Sequence, residues 1–321
     1  MAPTSPACEV CGNRDGNSVH DAREMMFGFR DVFHYLECGA CKCLQLLDVP
    51  ADMARYYPAN YYSFAPSNAV RDAVKHWRAQ YSHGMASLAG WVAEQLLGPD
   101  HAMRAIRRSQ IPFDARILDV GCGAGHLIRD MKRLGYASVS GLDPFLPADL
   151  HHPDGVTVRK CSIEDLDGSF DVVMSHHAFE HMAAPARALA AMRARLADGG
   201  RILIRIPVAD SFAWRRYGAN WINLDAPRHL FLHTPASMAQ LATQAGLVVS
   251  AVVFEGNASQ IIGSEQYARE IPLSDPRSVY AGGWRRWLGW WQARQLQSRV
   301  DELNRNGQAD WACFELRAAH A

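Results

Sequence analysis

An apolar strand that runs into a glycine-rich turn constrains this sequence more than any other feature. The segment Ile117–Gly125 reads ILDVGCGAG, and a helical pattern follows it directly. Alternate glycines lack Cβ atoms, so the backbone there can touch a ligand at the carboxyl end of the strand. The segment predicts an α/β domain with a nucleotide-like ligand, the alternative being a tight turn with no ligand. A dinucleotide fingerprint needs its third glycine one position later, where His126 stands, so pyrophosphate binding is disfavoured.

Strand and helix patterns alternate from Ile111 onward, which predicts a parallel sheet covered by helices. Strands are predicted at residues 116–120, 138–142, 156–159, 170–175, 201–206 and 247–254. Residues 256–306 read as a mostly helical insertion, and Asp310–Leu316 reads as a final antiparallel strand of the same sheet. Helical patterns also cover residues 68–109.

Asp143 supports the ligand prediction because it ends the strand after the glycine turn, 22 residues beyond Gly121. A carboxylate at that place can accept two hydrogen bonds from a ribose diol. Ser162 and Ile163 close the third strand, where a short polar side chain and the backbone can meet an adenine ring. The alternative for Ser162 is a helix cap.

Cysteines are concentrated at the N-terminus, where two CxxC pairs stand within the first 43 residues. Four thiolates in this spacing suit a tetrahedral metal ion, and the strand-like residues between the pairs predict a zinc ribbon with structural Zn²⁺ bound by Cys8, Cys11, Cys38 and Cys41. Cys43 is a less well spaced substitute for Cys41. Two disulfides are the rival interpretation, which a reducing compartment disfavours.

Composition excludes some functions. Of 321 residues, 33 are basic and 33 acidic, so there is no surplus positive charge to hold a nucleic-acid backbone. No apolar run predicts a membrane span, and residues 1–11 lack the features of a secretory signal, so we expect a cytoplasmic protein.

Segment Phe170–Met182, FDVVMSHHAFEHM, completes a resemblance to the class I S-adenosylmethionine-dependent methyltransferases. The resemblance covers about Ile111–Phe254 and the final strand. Within that superfamily the chain is similar to the bacterial subset with an N-terminal zinc ribbon, through YYPANYYSF at Tyr56–Phe64 and WINLDAPRHLFLHTP at Trp221–Pro235. Such proteins are often associated with glycan, deoxysugar and secondary-metabolite pathways.

The resemblance implies a Rossmann-like fold with a seven-stranded sheet, its last strand antiparallel, together with a zinc ribbon and helical insertions. It implies that Asp119 and the glycine turn face the methionine part of S-adenosylmethionine, Asp143 the ribose, and Ser162 and Ile163 the adenine. The predicted cofactor-binding residues are Asp119, Gly121, Gly123, Gly125, Asp143, Pro144, Ser162, Ile163, Ser175, His176 and, as a lid, Tyr62. The alternative for Tyr62 is packing between the ribbon and the core. The family commonly has an acid where Ser162 stands.

Methyl transfer to a hydroxyl needs a base for its proton, and histidine suits that task near neutral pH. His181 is the preferred candidate, with His177 and His229 as alternatives. His177 and His181 would share a face if their segment were helical. The competing interpretation gives His181 only a loop-holding hydrogen bond.

An aromatic and arginine-rich stretch at 207–233 predicts a substrate cap with Arg228, Trp221 and Tyr217 as contacts. A guanidinium can clamp a phosphate or carboxylate, and aromatic rings can stack on a sugar or base. Alternatively, Arg228 pairs with Asp225 or Glu255 and fixes the loop.

The sequence thus predicts methyl transfer to O or N of a small molecule, such as a sugar or nucleotide-linked sugar, with carbon methylation left open. The alternatives are an RNA methyltransferase that grips RNA with its ribbon, which the ribbon's slightly acidic balance disfavours, and a non-catalytic scaffold that binds the cofactor. The predicted domains are 1–46 (ribbon), 47–110 (aromatic linker and helical lead-in) and 111–321 (methyltransferase, with cap insertions at 207–233 and 256–309). The helices at 274–306 offer a surface for a homodimer.

Overall fold

The computed structural model describes residues 6–58 and 69–319, with the side chains of 69–71 and 283–287 left out. The chain divides into two compact units. The first unit comprises Met1–Tyr56, Glu180–Leu189 and Ile206–Phe314, and the second comprises Tyr57–Phe179, Ala190–Arg205 and Glu315–Ala321.

Twelve strands are present in the described residues. They are β1 Ser18–Arg23, β2 Val32–Glu37, β3 Leu44–Leu46, β4 Arg116–Val120, β5 Ser138–Leu142, β6 Leu150–His151, β7 Thr157–Arg159, β8 Phe170–His176, β9 Leu196–Pro207, β10 Phe231–Leu232, β11 Leu247–Phe254 and β12 Trp311–Ala318.

Nine α-helices occur in the same described ranges. They are α1 Ala69–His83, α2 Leu88–Leu97, α3 His101–Arg108, α4 His126–Arg133, α5 Pro185–Ala194, α6 Phe212–Tyr217, α7 Pro235–Gln244, α8 Ser259–Ala268 and α9 Gly283–Arg305. Several begin at a side-chain cap, as the sequence favours: Ser87 caps α2, Asp100 caps α3, and Thr234 with Ser237 forms a capping box at α7.

A four-stranded antiparallel sheet in the first unit has the order β1-β2-β3-β10. Its inner side is apolar, because Phe33 and Tyr35 of β2 and Leu44 of β3 are buried. The fourth strand comes from a distant part of the chain, with Leu232 paired to Leu44. The sheet therefore fixes the segment around β10 to the N-terminal residues of the same unit.

The large sheet has the strand order β11-β12-β9-β8-β4-β5-β7-β6. Strands β9, β8, β4, β5 and β7 run parallel, and the final strand is antiparallel, as predicted. The α/β fold class is confirmed. The sheet has eight strands instead of the predicted seven, because Leu150–His151 adds a short antiparallel edge to β7.

The core of the second unit explains why its strands form. Ile117, Leu118 and Val120 of β4 are almost fully buried, as expected for a parallel strand covered on both faces. Ile117 packs in a hydrophobic cluster with Met103 and Ile106 of α3, among others. The glycine turn therefore begins from a rigidly held strand.

The remaining predictions differ from the structure in detail. The helical pattern at 68–109 forms three helices, and the insertion at 256–306 forms α8 and α9. Within the described ranges, no helix is both long and apolar enough to cross a membrane.

Candidate active site

The glycine turn follows β4 directly and is hydrogen-bonded to the end of β5. The amides of Gly121 and Cys122 both donate to the carbonyl of Leu142, at 2.8 and 3.2 Å. A Cβ atom on Gly121 would lie 2.4 Å from the Cβ of Ala178, so this glycine is required by packing alone. Gly123 differs, because it has φ +54° and a Cβ there would meet no atom of the described residues within 4 Å. Its open side is a surface that a ligand can approach closely.

Asp143 connects the second strand to the glycine turn. Its Oδ2 accepts from the amide of Gly123 at 2.9 Å, and its Oδ1 accepts from the amide of Phe145 at the same distance. Each carboxylate oxygen has two lone pairs, so these bonds orient the group and leave capacity for further donors. This geometry suits the acceptance of a hydroxyl pair.

Three side chains with buried polar atoms stand at the carboxyl ends of neighbouring strands β4 and β8. Asp119 Oδ1, Ser175 Oγ and both ring nitrogens of His176 have no hydrogen-bond partner among the described residues. Burial, and then the charge of Asp143, raises the pKa of Asp119 well above its usual range. Burial, followed by the charge of Arg205, lowers the pKa of His176 to about 3, so this ring is neutral at physiological pH.

Buried polar groups without partners are costly, so their clustering beside an open glycine turn indicates a bound polar ligand. A cationic, hydroxyl-bearing ligand would satisfy them, because Asp119 offers a buried carboxyl group and Asp143 an oriented carboxylate. S-adenosylmethionine, which carries an ammonium, a sulfonium and a ribose, fits this donor and acceptor set.

Ser162 and Ile163 follow β7 in a turn. The Ser162 hydroxyl donates to Asp165 Oδ2 at 2.7 Å, and the Asp165 amide donates to the Ser162 carbonyl at 3.3 Å. No helix begins here, so Ser162 is not a helix cap. The predicted lid residue Tyr62 lies outside the described residues.

The four cysteines of the CxxC pairs converge in the first unit, and each offers a sulfur within 4.8 Å of the others. The Sγ atoms of Cys8 and Cys41 are 3.7 Å apart, and those of Cys11 and Cys38 are 3.4 Å apart. Tetrahedral zinc with bonds of about 2.3 Å needs sulfur atoms roughly 3.8 Å apart. The four-cysteine cluster therefore has the dimensions of a metal site, and all eight cysteines are free of disulfides. The remaining N-terminal cysteine, Cys43, is buried outside this group.

A second group in the first unit joins Glu180, His181 and His229, hereafter the histidine–glutamate cluster. The two imidazole rings are in edge contact, with centroids 4.8 Å apart. Nδ1 of His181 donates to the carbonyl of Arg228 at 2.7 Å, and Nδ1 of His229 donates to the carbonyl of Asn223 at 2.8 Å. Burial, then the neighbouring His181, lowers the pKa of His229 to about 4.

His177 occupies a different environment, in the second unit. It has φ +53°, and its Nε2 accepts from Arg205 Nη1 at 2.5 Å. The segment is not α-helical, since only a 3₁₀ turn at Phe179–His181 follows. The pairing of His177 and His181 on one helix face therefore does not form. The structure brings His181 together with His229 instead, 48 residues away in the sequence.

Comparison with known proteins gives the family. A family model described as a methyltransferase domain matches residues 81–252, more than half of the chain. The chain belongs to this methyltransferase family. It is an S-adenosylmethionine-dependent methyltransferase, as the sequence predicted.

Two similar curated proteins are named as O-methyltransferases. The ubiquinone biosynthesis O-methyltransferase of Xanthomonas axonopodis pv. citri is 35% identical over 192 residues, which cover 51% of this chain and 79% of the relative. The protein of the same name from Cereibacter sphaeroides (strain ATCC 17025 / ATH 2.4.3) is 36% identical over 156 residues, covering 43% and 62%. Among solved structures, a 1,6-didemethyltoxoflavin-N1-methyltransferase of Burkholderia thailandensis has a TM-score of 0.40 and 16% identity, over 80% of this chain and 93% of that one.

The predicted acceptor contact Arg228 is fully buried in this methyltransferase. Its guanidinium pairs with Asp225 at 2.6 Å and with Glu24 at 3.1 Å, and it also donates to the carbonyl of Tyr56. Burial alone would raise the pKa of Asp225, but the ion pair with Arg228 outweighs burial and lowers it. These contacts correspond to the loop-fixing alternative, with Glu24 as a partner that no local pattern in the sequence indicates.

Two aromatic residues of the predicted cap are placed differently. Trp221 is buried, and its Nε1 donates to Asp310 Oδ2 at 2.8 Å. Tyr217, the last residue of α6, is partly exposed, and Phe212 makes an edge contact with its ring. Of the three predicted contacts, Tyr217 has the most accessible side chain.

Proposed function

We propose that this enzyme transfers the methyl group of S-adenosylmethionine to an oxygen or nitrogen atom of a small-molecule acceptor. The observation that carries the proposal is the buried Asp119 carboxyl group beside the open face of Gly123. The O-methyltransferase names of the relatives favour a hydroxyl group as the acceptor. A sugar, a nucleotide-linked sugar or a related metabolite is the proposed acceptor class, with carbon as a further possible site.

The proposed cofactor contacts are divided among the strand ends of the second unit. Asp119 and the turn Gly121–Gly125 take the methionine part, and Asp143 with Pro144 takes the ribose. Ser162 and Ile163 meet the adenine. Ser175 and His176 line the pocket edge, where their partnerless polar atoms support a ligand contact. Tyr62 is proposed as a lid from the sequence pattern alone.

His181 is the proposed proton acceptor. Its Nδ1 hydrogen is held by the Arg228 carbonyl, so the neutral ring carries its lone pair at Nε2. Bound S-adenosylmethionine would supply the methyl group, which would leave its sulfur as the acceptor oxygen bonds to it, and His181 Nε2 would take the hydroxyl proton. The products would be a methyl ether, S-adenosylhomocysteine and a protonated imidazole. His229, with its low pKa, is the weaker base, and His177 is already bonded to Arg205 through Nε2.

For the acceptor, we propose Tyr217 as the direct contact, with Trp221 and Arg228 as residues that hold the cap segment in shape. A buried indole bonded to Asp310 and a guanidinium with two carboxylate partners support this division, because neither side chain has exposed polar atoms to offer. Replacement of Tyr217 by Phe should raise the Michaelis constant for the acceptor and leave cofactor affinity unchanged.

The four-cysteine cluster is proposed to hold one structural Zn²⁺ within the ribbon, residues 1–46. Two donors also face Cys38 Sγ, the Cys41 amide at 3.4 Å and Asn13 Nδ2 at 3.7 Å. The purified protein should carry one equivalent of zinc, and Cys38→Ser should lose it and unfold the ribbon. Cys43→Ser is the matched control and should keep the metal. A zinc-free wild-type protein would refute the assignment.

The experiment that tests the function combines calorimetry with an activity screen. S-adenosylhomocysteine should bind with one site per chain, and Asp143→Asn should weaken that binding. Candidate hydroxyl acceptors are then screened for release of S-adenosylhomocysteine, with His181→Gln as the variant of the base and His34→Gln, an exposed histidine, as the control. Failure of wild-type protein to bind the cofactor product refutes the proposal. Equal activity of His181→Gln refutes the base alone.

A further inference from the structure

A cleft of about 690 Å³ opens in the helical part of the second unit, hereafter the arginine cleft. Its wall comes from the end of α1 and the loop after it, from α2, and from the end of α3. Small-molecule sites have volumes of about 300–1,000 Å³, so the cleft is large enough for an organic ligand. The charged side chains of the wall are Glu94, Arg104, Arg107 and Arg108. Three cations against one anion give the wall a formal charge of +2.

Glu94 is already satisfied within the wall. Its side chain is 8% exposed, its Oε1 accepts from Arg104 Nη2 at 2.6 Å, and its Oε2 accepts from the hydroxyl of Ser82. Glu94 therefore compensates the charge of Arg104. Arg107, about one turn further along α3, has no carboxylate partner among the described residues. A guanidinium without a counter-ion in the wall of a cleft is available to an anion from solution.

A glycine fixes where the Arg107 guanidinium lies. Gly84 has φ +104°, and a Cβ atom built on it would lie 2.6 Å from Cζ and 2.8 Å from Nε and Nη1 of Arg107. The guanidinium therefore lies against the backbone at Gly84, in space that a side chain would fill. This contact restricts the rotamers of Arg107 before any ligand arrives, and a preordered side chain loses less conformational entropy on binding.

The remaining wall suits the body of an organic anion. Tyr81 and Met85 contribute an aromatic ring and a thioether chain, and Met85 is 46% exposed. A phosphate monoester carries a charge of about −1.5 to −2 near pH 7, which matches the +2 of the wall more closely than the single charge of a carboxylate does. Guanidinium groups also form paired hydrogen bonds with phosphate oxygens.

The arginine cleft and the glycine turn lie at opposite ends of the parallel strands. Gln110 in the cleft wall follows α3 and leads toward the first residue of β4, whereas the glycine turn follows the last. His83, at the end of α1 beside the cleft, is hydrogen-bonded to the hydroxyl of Tyr136 at 2.9 Å, and Tyr136 stands just before β5. Strands β4 and β5 are parallel and five residues long, which is about 16 Å. The cleft is therefore separate from the strand ends proposed for the cofactor.

We propose that the arginine cleft binds a small organic phosphate monoester, at a site distinct from that of the methyl donor. Arg107 is the main contact of the phosphate group, Arg108 adds positive charge, and Tyr81 and Met85 contact the organic part. The binding is non-covalent and uses none of the residues assigned to methyl transfer. It adds a second small-molecule ligand to those of the proposed function.

Calorimetric titration of the full-length protein with phenyl phosphate, in a phosphate-free buffer of low ionic strength, tests the site. We expect one molecule bound per chain, with an affinity about 10-fold or more above that of inorganic phosphate, because the ring contacts Tyr81 and Met85. Phenol, which lacks the charge, should not bind measurably. Saturation with S-adenosylhomocysteine should leave the affinity for phenyl phosphate unchanged.

Two charge-matched variants separate the cleft from net charge. Arg107→Gln removes the guanidinium that lacks a carboxylate partner and should weaken phenyl phosphate binding by about 10- to 100-fold, because hydrogen bonds between charged groups are strong. Arg116→Gln removes the same charge at the amino end of β4, but Arg116 lies outside the cleft wall in an exposed pair with Asp171 at 2.8 Å. This control should bind phenyl phosphate as tightly as the wild-type protein.

A pair of glycine variants tests the placement of Arg107. Gly84→Ala keeps every charge but puts a methyl group where the guanidinium lies, and it should weaken binding by about 10-fold. Gly98→Ala is the matched control, because Gly98 has φ +78° and a Cβ atom there would meet nothing within 4 Å among the described residues. Both variants strain the backbone, so thermal unfolding should show similar losses of stability. Only Gly84→Ala should also lose affinity.

Each outcome decides the proposal separately from the enzyme's function. Absence of phenyl phosphate binding to wild-type protein refutes the site, and equal affinity for inorganic phosphate refutes the organic ligand class. Equal losses in Arg107→Gln and Arg116→Gln refute the assignment to the cleft. Competition by S-adenosylhomocysteine would place the ligand at the cofactor site and also refutes it. If phenyl phosphate binds as expected but S-adenosylhomocysteine does not, the arginine cleft holds while the proposed function fails.

Discussion

The variant Gly123→Ala should separate cofactor binding from folding. Gly123 has φ +54°, and among the described residues a Cβ atom there would meet nothing within 4 Å, so we expect the added methyl group to clash with a bound ligand. Gly155 is the matched control in the same unit, because it has φ +81° and equally open surroundings but follows β6, away from the glycine turn. Both substitutions impose the same kind of backbone strain.

The expected magnitudes follow from that geometry. A left-handed conformation costs a non-glycine residue about 1–2 kcal/mol, so each variant should lose about that much of its free energy of unfolding. A methyl group forced against a bound ligand costs a further ~1–3 kcal/mol, which corresponds to a loss of affinity of about 5- to 150-fold. Only Gly123→Ala should show this second loss.

Calorimetric titration with S-adenosylmethionine and S-adenosylhomocysteine, paired with thermal unfolding, measures both quantities. Wild-type affinity in Gly123→Ala would show that the ligand does not approach the glycine turn closely. A comparable affinity loss in Gly155→Ala would show that backbone strain alone accounts for the effect. Either result refutes the proposed contact between the cofactor and the glycine turn.

Three other predictions concern buried charge. Asp119→Asn should weaken cofactor binding by about 10- to 100-fold while stabilising the free protein. Because the folded-state pKa of Asp119 is raised, the wild-type protein loses stability as pH rises through that pKa. The variant should show no such loss when its free energy of unfolding is measured by denaturant titration at several pH values. Arg228→Met leaves buried carboxylates without their cation and should lower the free energy of unfolding in urea by about 3–5 kcal/mol. The control Arg215→Met, which removes an exposed ion pair, should lower it by about 1 kcal/mol or less. Equal losses in the two variants would contradict the buried network. The pKa of Asp225 is lowered, so its contribution to the free energy of unfolding is present above the usual aspartate pKa and is lost as pH falls through the lowered value. Asp225→Asn should therefore lose less stability than the wild-type protein as the solution is acidified.

The regular fold could be predicted because its patterns are local. Strand β5 has the predicted bounds, β4 ends at the glycine turn as predicted, and the last strand is antiparallel. Edge strand β6 was missed because two residues carry no periodic pattern. Strand β10 was missed for the same reason, and its pairing with β3 joins residues nearly 190 positions apart.

Side-chain partners likewise divide into those that local sequence predicts and those that depend on distant segments. The sequence singled out Asp119, Asp143 and the CxxC cysteines because spacing along one or two short segments is enough to predict their chemistry. The partner of Arg228, Glu24, is 204 residues away, and the pairing of His181 with His229 depends on a bond between the Glu180 and Leu230 backbones. Such contacts arise only when separate segments pack together.

The strand and glycine turn at Ile117–Gly125 are therefore what the sequence by itself determined, together with the cysteine pairs and the alternation of strands and helices. Tertiary structure alone decided which histidines meet, which nitrogen of each ring carries the lone pair, and whether Arg228 is available to an acceptor. The physical reason is that backbone conformation and burial follow local periodicity, whereas hydrogen-bond partners across the chain depend on the packing of the whole unit.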